Sequence, residues 1–90
     1  MMKLADTVAM MNSTDYKERL IAEYQQLKIR VCGLDNMLNK WHRNELDFEP
    51  TCPKSTYDLQ LRTMRDYMTI LEMRAVMEGI ELDMSVSSAE

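Results

Sequence analysis

The sequence predicts an all-α protein: an antiparallel helical hairpin with a short N-terminal helix, assembled as a homo-oligomer. Two apolar stripes predict it, one on each side of a proline-marked break. Leu20, Tyr24, Leu27, Val31, Leu34, Leu38 and Trp41 recur at alternating steps of four and three residues. Tyr57, Leu61, Met64, Met68, Leu71 and Ala75 repeat the alternation after the break. Such spacing lays each set along one helical face, as in a coiled-coil seam. Two such helices joined by about a dozen residues read as a hairpin.

Taken in order, residues 1–12 are mildly apolar, with Leu4, Val8 and Met11 at helical spacing. They are expected to form a short helix that packs on a neighbouring subunit. Ser13, Thr14 and Asp15 offer side-chain oxygens to cap the next helix, which should run over about residues 16–41. Gly33 inside it costs up to ~1 kcal/mol relative to alanine, so it marks a slack point or a close helix contact. The connector, about residues 42–52, loses the periodicity, and Pro50 and Pro53 stop the helix from continuing. The second helix should span about residues 53–79, with Pro53 in its first turn. Ser55 and Asp58 form a short-armed capping box there, and Gly79 is the C-cap. Ile80–Leu82 adds a packed extension, and residues 83–90 read as a frayed tail. The whole chain is read as one domain.

With 90 residues, a single small domain buries only about 60–65% of its extended surface. Disulfides, metals or oligomerisation commonly supply the missing stability. The two cysteines, Cys32 and Cys52, make no framework, and with His42 as the single histidine they lack the spacing of a zinc site. That leaves self-association. Tyr67, Ile70, Met73, Met77 and Ile80 support it, because they lie beside or away from the seam and need other partners. Ten methionines are read mostly as gap-filling core, with an adaptable contact surface as the other use.

No apolar run approaches the roughly 18–20 residues of a membrane span, and no secretory signal is visible. The net charge of −4 argues against a binder of long nucleic acids. A small anion with two or three phosphates remains open to a local cluster of cations.

No catalytic constellation is expected. There is no glycine-rich phosphate loop, His42 reads as a solvated connector histidine, and each carboxylate has a helix-surface explanation. No cofactor or metal is implied. Among the cations, Arg19, Arg62 and Arg65 read as a solvated face paired with nearby acids. Arg74 is different, because it falls between Ile70 and Met77 on the second apolar stripe. A buried guanidinium there would pair with a carboxylate across an interface or hold a bound anion. Tyr16, at the first helix start, would either pack as a hydrophobic staple or stack on a purine, a contact worth roughly 1–3 kcal/mol. The helix N-terminus beside it favours anions. Arg30 lies about 40° from Tyr16 around the axis and about 21 Å along it, so only two antiparallel copies would place both on one small ligand.

Three stretches together bring a family into view: YKERLIAEYQQLKIRVCGLDNML from Tyr16, the connector LDFEPTCP, and DLQLRTMRDYMTILEMRAVMEGIEL from Asp58. The ordered Tyr-Lys start, Cys-Pro break and Leu-Glu-Met-Arg-Ala end resemble a family of small helical-hairpin proteins of phages and prophages. That family shares its hairpin with the sponges that defeat CBASS and Thoeris immunity, and the likeness covers roughly residues 15–82. It implies a homohexamer in the cytoplasm of the infected host that sequesters cyclic oligonucleotide second messengers without degrading them. In related sponges a tyrosine near the first helix start stacks on a cyclic dinucleotide base and a lysine contacts the ligand. Tyr16 takes the tyrosine place. Lys28 stands near the lysine place at a shorter offset, and Arg30 fits the helical angle better. Cyclic trinucleotides use a threefold site built on an arginine followed by Ala-Val, which Arg74-Ala75-Val76 matches. Two other readings compete with the sponge: a helical oligomer that binds a host protein, and a structural oligomer without a ligand.

Overall fold

The computed structural model describes residues 3–82. The tail expected over residues 83–90 lies outside the described residues. A 3₁₀ turn at Leu4–Thr7 runs into the short helix α1 (Val8–Met11), followed by two long helices, α2 (Tyr16–His42) and α3 (Lys54–Glu78). No strand occurs among the described residues. The long helices pack as an antiparallel hairpin, and the particle measures 43 × 23 × 22 Å.

Local chemistry sets each helix boundary. Asp15 caps α2 in an extended conformation (φ −88°, ψ 115°), its carboxylate accepting the Lys17 N–H at 3.0 Å. At the other end Lys40 and His42 stand against the negative pole of the helix dipole. Asn44 then turns the chain at φ 58°, a left-handed conformation that asparagine tolerates better than most residues. Pro53 was expected inside α3 but is its N-cap (φ −61°, ψ 149°), with its carbonyl accepting the Thr56 N–H at 3.0 Å. Ser55 therefore falls inside the first turn, too late to cap, and no side chain caps α3. The expected capping box with Asp58 does not form.

Gly79 closes α3 at φ 71°. Its N–H donates to Val76 O, and the Ile80 N–H donates to Ala75 O at 2.8 Å, the paired bonds of a Schellman cap. The reversal sends Ile80 back into the core, 9% exposed, with Leu82 packed beside it. Ile80 thus leaves the outer stripe to which its spacing had assigned it.

The core is the seam itself. Leu20, Tyr24, Leu27, Val31 and Leu38 of α2 are buried against Leu61, Leu71 and Ala75 of α3. Trp41 and Tyr57 meet edge to face at the connector end, with centroids 6.0 Å apart. The Tyr24 hydroxyl donates to Glu72 Oε2 at 2.6 Å from within the seam. No described methionine is fully buried. Met37, Met64 and Met68 pack against the core from its margins, while Met73 and Met77 are exposed. Gly33 is no close-contact point, since a Cβ there would meet nothing within 4 Å.

The N-terminal segment packs on α2 of its own chain. Thr7 is fully buried, its hydroxyl donating to Leu4 O at 2.7 Å and accepting from Gln26 Nε2 at 3.0 Å. That two-way satisfaction turns Thr7 inward and leaves Leu4, Val8 and Met11, the expected apolar face, exposed.

The two glycines should respond oppositely to alanine. Gly33→Ala removes a flexible residue from a helix interior with open space around it and should stabilise the fold by up to about 1 kcal/mol. Gly79→Ala forces a Cβ into the left-handed region and should cost about 1–2 kcal/mol. Urea unfolding of both variants checks the pair. In the same assay Tyr24→Phe, which deprives the half-buried Glu72 of its donor, should cost about 1–3 kcal/mol.

Candidate ligand-binding flank

Heptad position organises the surface of the hairpin. With the buried stripes at a and d, Asp35 and Arg65 both fall at e, and they form an ion pair at 3.3 Å across the helices. Glu72, also at e, reaches Tyr24 on the same side. The two e flanks therefore meet along one edge of the hairpin, which leaves the two g flanks along the other. Tyr16, Glu23 and Arg30 of α2 hold g positions, as do Gln60, Tyr67 and Arg74 of α3. Three of the four expected ligand residues, Tyr16, Arg30 and Arg74, thus share one flank. Lys28, at e, lies on the opposite edge, half-buried and engaged by a neighbour.

Tyr16 is the first residue of α2 and is 48% exposed, outside the core cluster. The staple expected by default does not form, because the chain ahead of the helix is held by its own polar contacts. Ser13 is bonded to Glu18, its hydroxyl accepts the Asp15 N–H at 3.0 Å, and its carbonyl accepts from Arg19 at 2.7 Å. Asp15 already occupies a helix N-terminal amide, and Glu18 adds a second carboxylate in the first turn. The helix pole at Tyr16 is therefore filled by the chain's own acids. What remains there for a ligand is the aromatic face.

Arg74 is not buried. Its side chain is 45% exposed and pairs with Glu78, one turn on, at 3.5 Å. The apolar stripe around it faces outward in the single chain: Ile70, Met73, Val76 and Met77 are all exposed, Val76 at 82%. Arg74 satisfies its charge locally and needs no partner to fold. Arg30 is exposed and forms no ion pair among the described residues. The acids expected beside Arg62 do not pair with it, and Arg65 reaches across to Asp35 instead.

The register separates these groups along the rod. Tyr24–Glu72, Asp35–Arg65 and Trp41–Tyr57 have residue numbers summing to between 96 and 100. Arg74 is therefore level with about residue 23, midway between Tyr16 and Arg30, which are about 21 Å apart along α2. Tyr67, read from the sequence as part of the outer apolar stripe, instead stands level with Arg30. The signal for it was the antiparallel register, which becomes usable once one cross-helix pair is known.

A family model, Sequestin, matches residues 14–77. The chain belongs to the Sequestin family. No curated protein and no solved structure matches it. The Sequestin match begins just before the Asp15 cap and ends in the last turn of α3, so it covers the hairpin and its g flank and omits the N-terminal segment. The family name describes sequestration of a ligand. No helix among the described residues is long and apolar enough to cross a membrane, and no cluster among them has the makings of a metal site.

Because Arg74 and Glu78 form an exposed i,i+4 pair, worth about 0.3–0.5 kcal/mol at such sites, Arg74→Ala should leave thermal stability almost unchanged. A melting temperature that falls by more than about 5 °C, roughly 1 kcal/mol for a domain of this size, would mean that Arg74 holds the fold or the assembly.

Proposed function

We propose that the chain is a phage anti-defence sponge that binds and sequesters cyclic di- or trinucleotide second messengers without cleaving them. It acts as a homohexamer in the cytoplasm of the infected host. The observation that carries this reading is the Sequestin match over the hairpin, whose g flank presents an aromatic face and two guanidinium groups to solvent. Stacking on a base and charge-assisted contacts to phosphate are what capture of a cyclic nucleotide requires, and neither needs a reactive group.

Assembly supplies the remaining geometry. The outer face of α3 exposes Leu59, Ile70, Met73, Val76 and Met77, a large apolar surface for a short chain, and further copies of the hairpin would cover it. Two antiparallel copies would bring the Tyr16 of one beside the Arg30 of the other around a dinucleotide. Three copies of Arg74 around a threefold axis would repel one another, with Glu78 offsetting part of the charge. Trinucleotide phosphates would relieve the rest, at roughly 1.5–3 kcal/mol per contact.

The same outer face favours a second reading, an oligomer that binds a host protein. Ligand-dependent melting separates the two: a sponge gains stability with excess nucleotide by mass action, whereas a protein binder does not respond to it.

Calorimetry against cyclic di- and trinucleotides is expected to show binding, and heat denaturation of the complex should release the ligand intact by chromatography. Light scattering at micromolar concentration should give a mass well above the 10.6 kDa of one chain. Tyr16→Ala should weaken dinucleotide capture about 5- to 150-fold, the value of one stacking contact, and Arg74→Ala should abolish trinucleotide binding, both with assembly intact. Cleaved ligand, or a monomer that binds nothing, would overturn the proposal.

A further inference from the structure

Tyr67 and Arg30, one on each helix, are g-flank residues that the antiparallel register places level with each other, as it places Arg74 level with Glu23. Arg30 is exposed and Tyr67 is 40% exposed. No ring contact involving Tyr67 and no ion pair involving Arg30 occurs among the described residues. The Tyr67 ring also borders a shallow, largely apolar cavity of about 480 Å³ along α3. Met64 lies on the seam side of that cavity, Leu59, Gln60 and Thr63 also line it, and the Thr63 hydroxyl donates to Leu59 O at 2.8 Å.

From that juxtaposition we propose that Tyr67 and Gln60 form a nucleotide subsite that shares Arg30 with the Tyr16 position and adds a second stacking ring to it. A nucleobase stacks on the Tyr67 ring within the cavity, and its edge meets the Gln60 amide, which can both donate and accept. Arg30, across the hairpin, takes the attached phosphate through its forked donors. An aromatic face beside a guanidinium is how proteins commonly hold single nucleotides without strict base preference. Both groups come from one hairpin, so every copy carries a complete subsite. The inference rests on the sponge reading and assigns to it a residue, Tyr67, and a base-binding surface on α3.

Calorimetry on the full chain tests it, with cyclic di-AMP, cyclic di-GMP and cyclic tri-AMP as probes and light scattering run on every variant. Tyr67→Ala should weaken the probe that wild type binds about 5- to 150-fold. Tyr67→Phe, which keeps the ring and loses the hydroxyl, should bind like wild type. Arg30→Lys should lie between wild type and Arg30→Ala. Unchanged affinity in Tyr67→Ala, with wild type binding, overturns the subsite and leaves the sponge reading in place. So does a Tyr67→Ala oligomer of altered mass, because Tyr67 would then be an assembly residue. Wild type that binds none of the three probes overturns both.

Discussion

The a/d seam between α2 and α3 is the constraint on which the other features depend. Leu20, Leu27, Val31, Leu61, Leu71 and Ala75 form one apolar cluster with Tyr24, Leu38 and Ile80, and a two-helix core has no second layer to hold it in register. The polar contacts at its margins do that. Tyr24 reaches from a buried position to Glu72, Asp35 pairs with Arg65, and Trp41 meets Tyr57 edge on. A one-turn slip of either helix would break all three and strand the Glu72 carboxylate, a penalty that an apolar seam alone would not impose. The register so fixed determines which surface groups stand level, and therefore whether the g flank is a set of scattered residues or a row.

The two outer faces of the hairpin are treated differently. The outer face of α2 is covered from within the chain, because Thr7 anchors the N-terminal segment through Gln26 and the fully buried Ala22 lies one turn away. The outer face of α3 is left bare from Leu59 to Met77. Burial of apolar surface is the main stabilising contribution in so small a protein, so the bare face is where assembly would stabilise it most. Arg74 stands at the edge of that face with Glu78 as a local partner, which keeps its charge tolerable in the single chain.

Periodicity and break residues alone determined the helical class, the hairpin and the ends of its long helices. A four-three alternation, an Asp cap, a Pro break and a Gly stop act within a few residues of chain, where sequence dictates structure directly. The same local logic made Arg74 unusual, by its place between Ile70 and Met77, and made Tyr16 an aromatic at a helix start. It overreached where one residue has two local uses: Pro53 as a first-turn residue or a cap, Ser55 as a cap or a helix interior, Ile80 on the outer stripe or folded back by Gly79.

Tertiary packing alone decided what each helix face meets. Arg74 stands among apolar neighbours that face solvent in the single chain, and it pairs with Glu78 one turn on. Leu4, Val8 and Met11 were expected to pack on a neighbouring subunit, and within the chain it is Thr7 that turns inward, because its hydroxyl is satisfied on both sides. Lys28 and Arg30 are two residues apart in sequence but lie on opposite edges, and only the Asp35–Arg65 pair shows which edge also holds Arg74 and Tyr67. The sequence fixes the phase of each helix about its own axis. The offset between two axes depends on side chains far apart in the chain, and no local pattern encodes it.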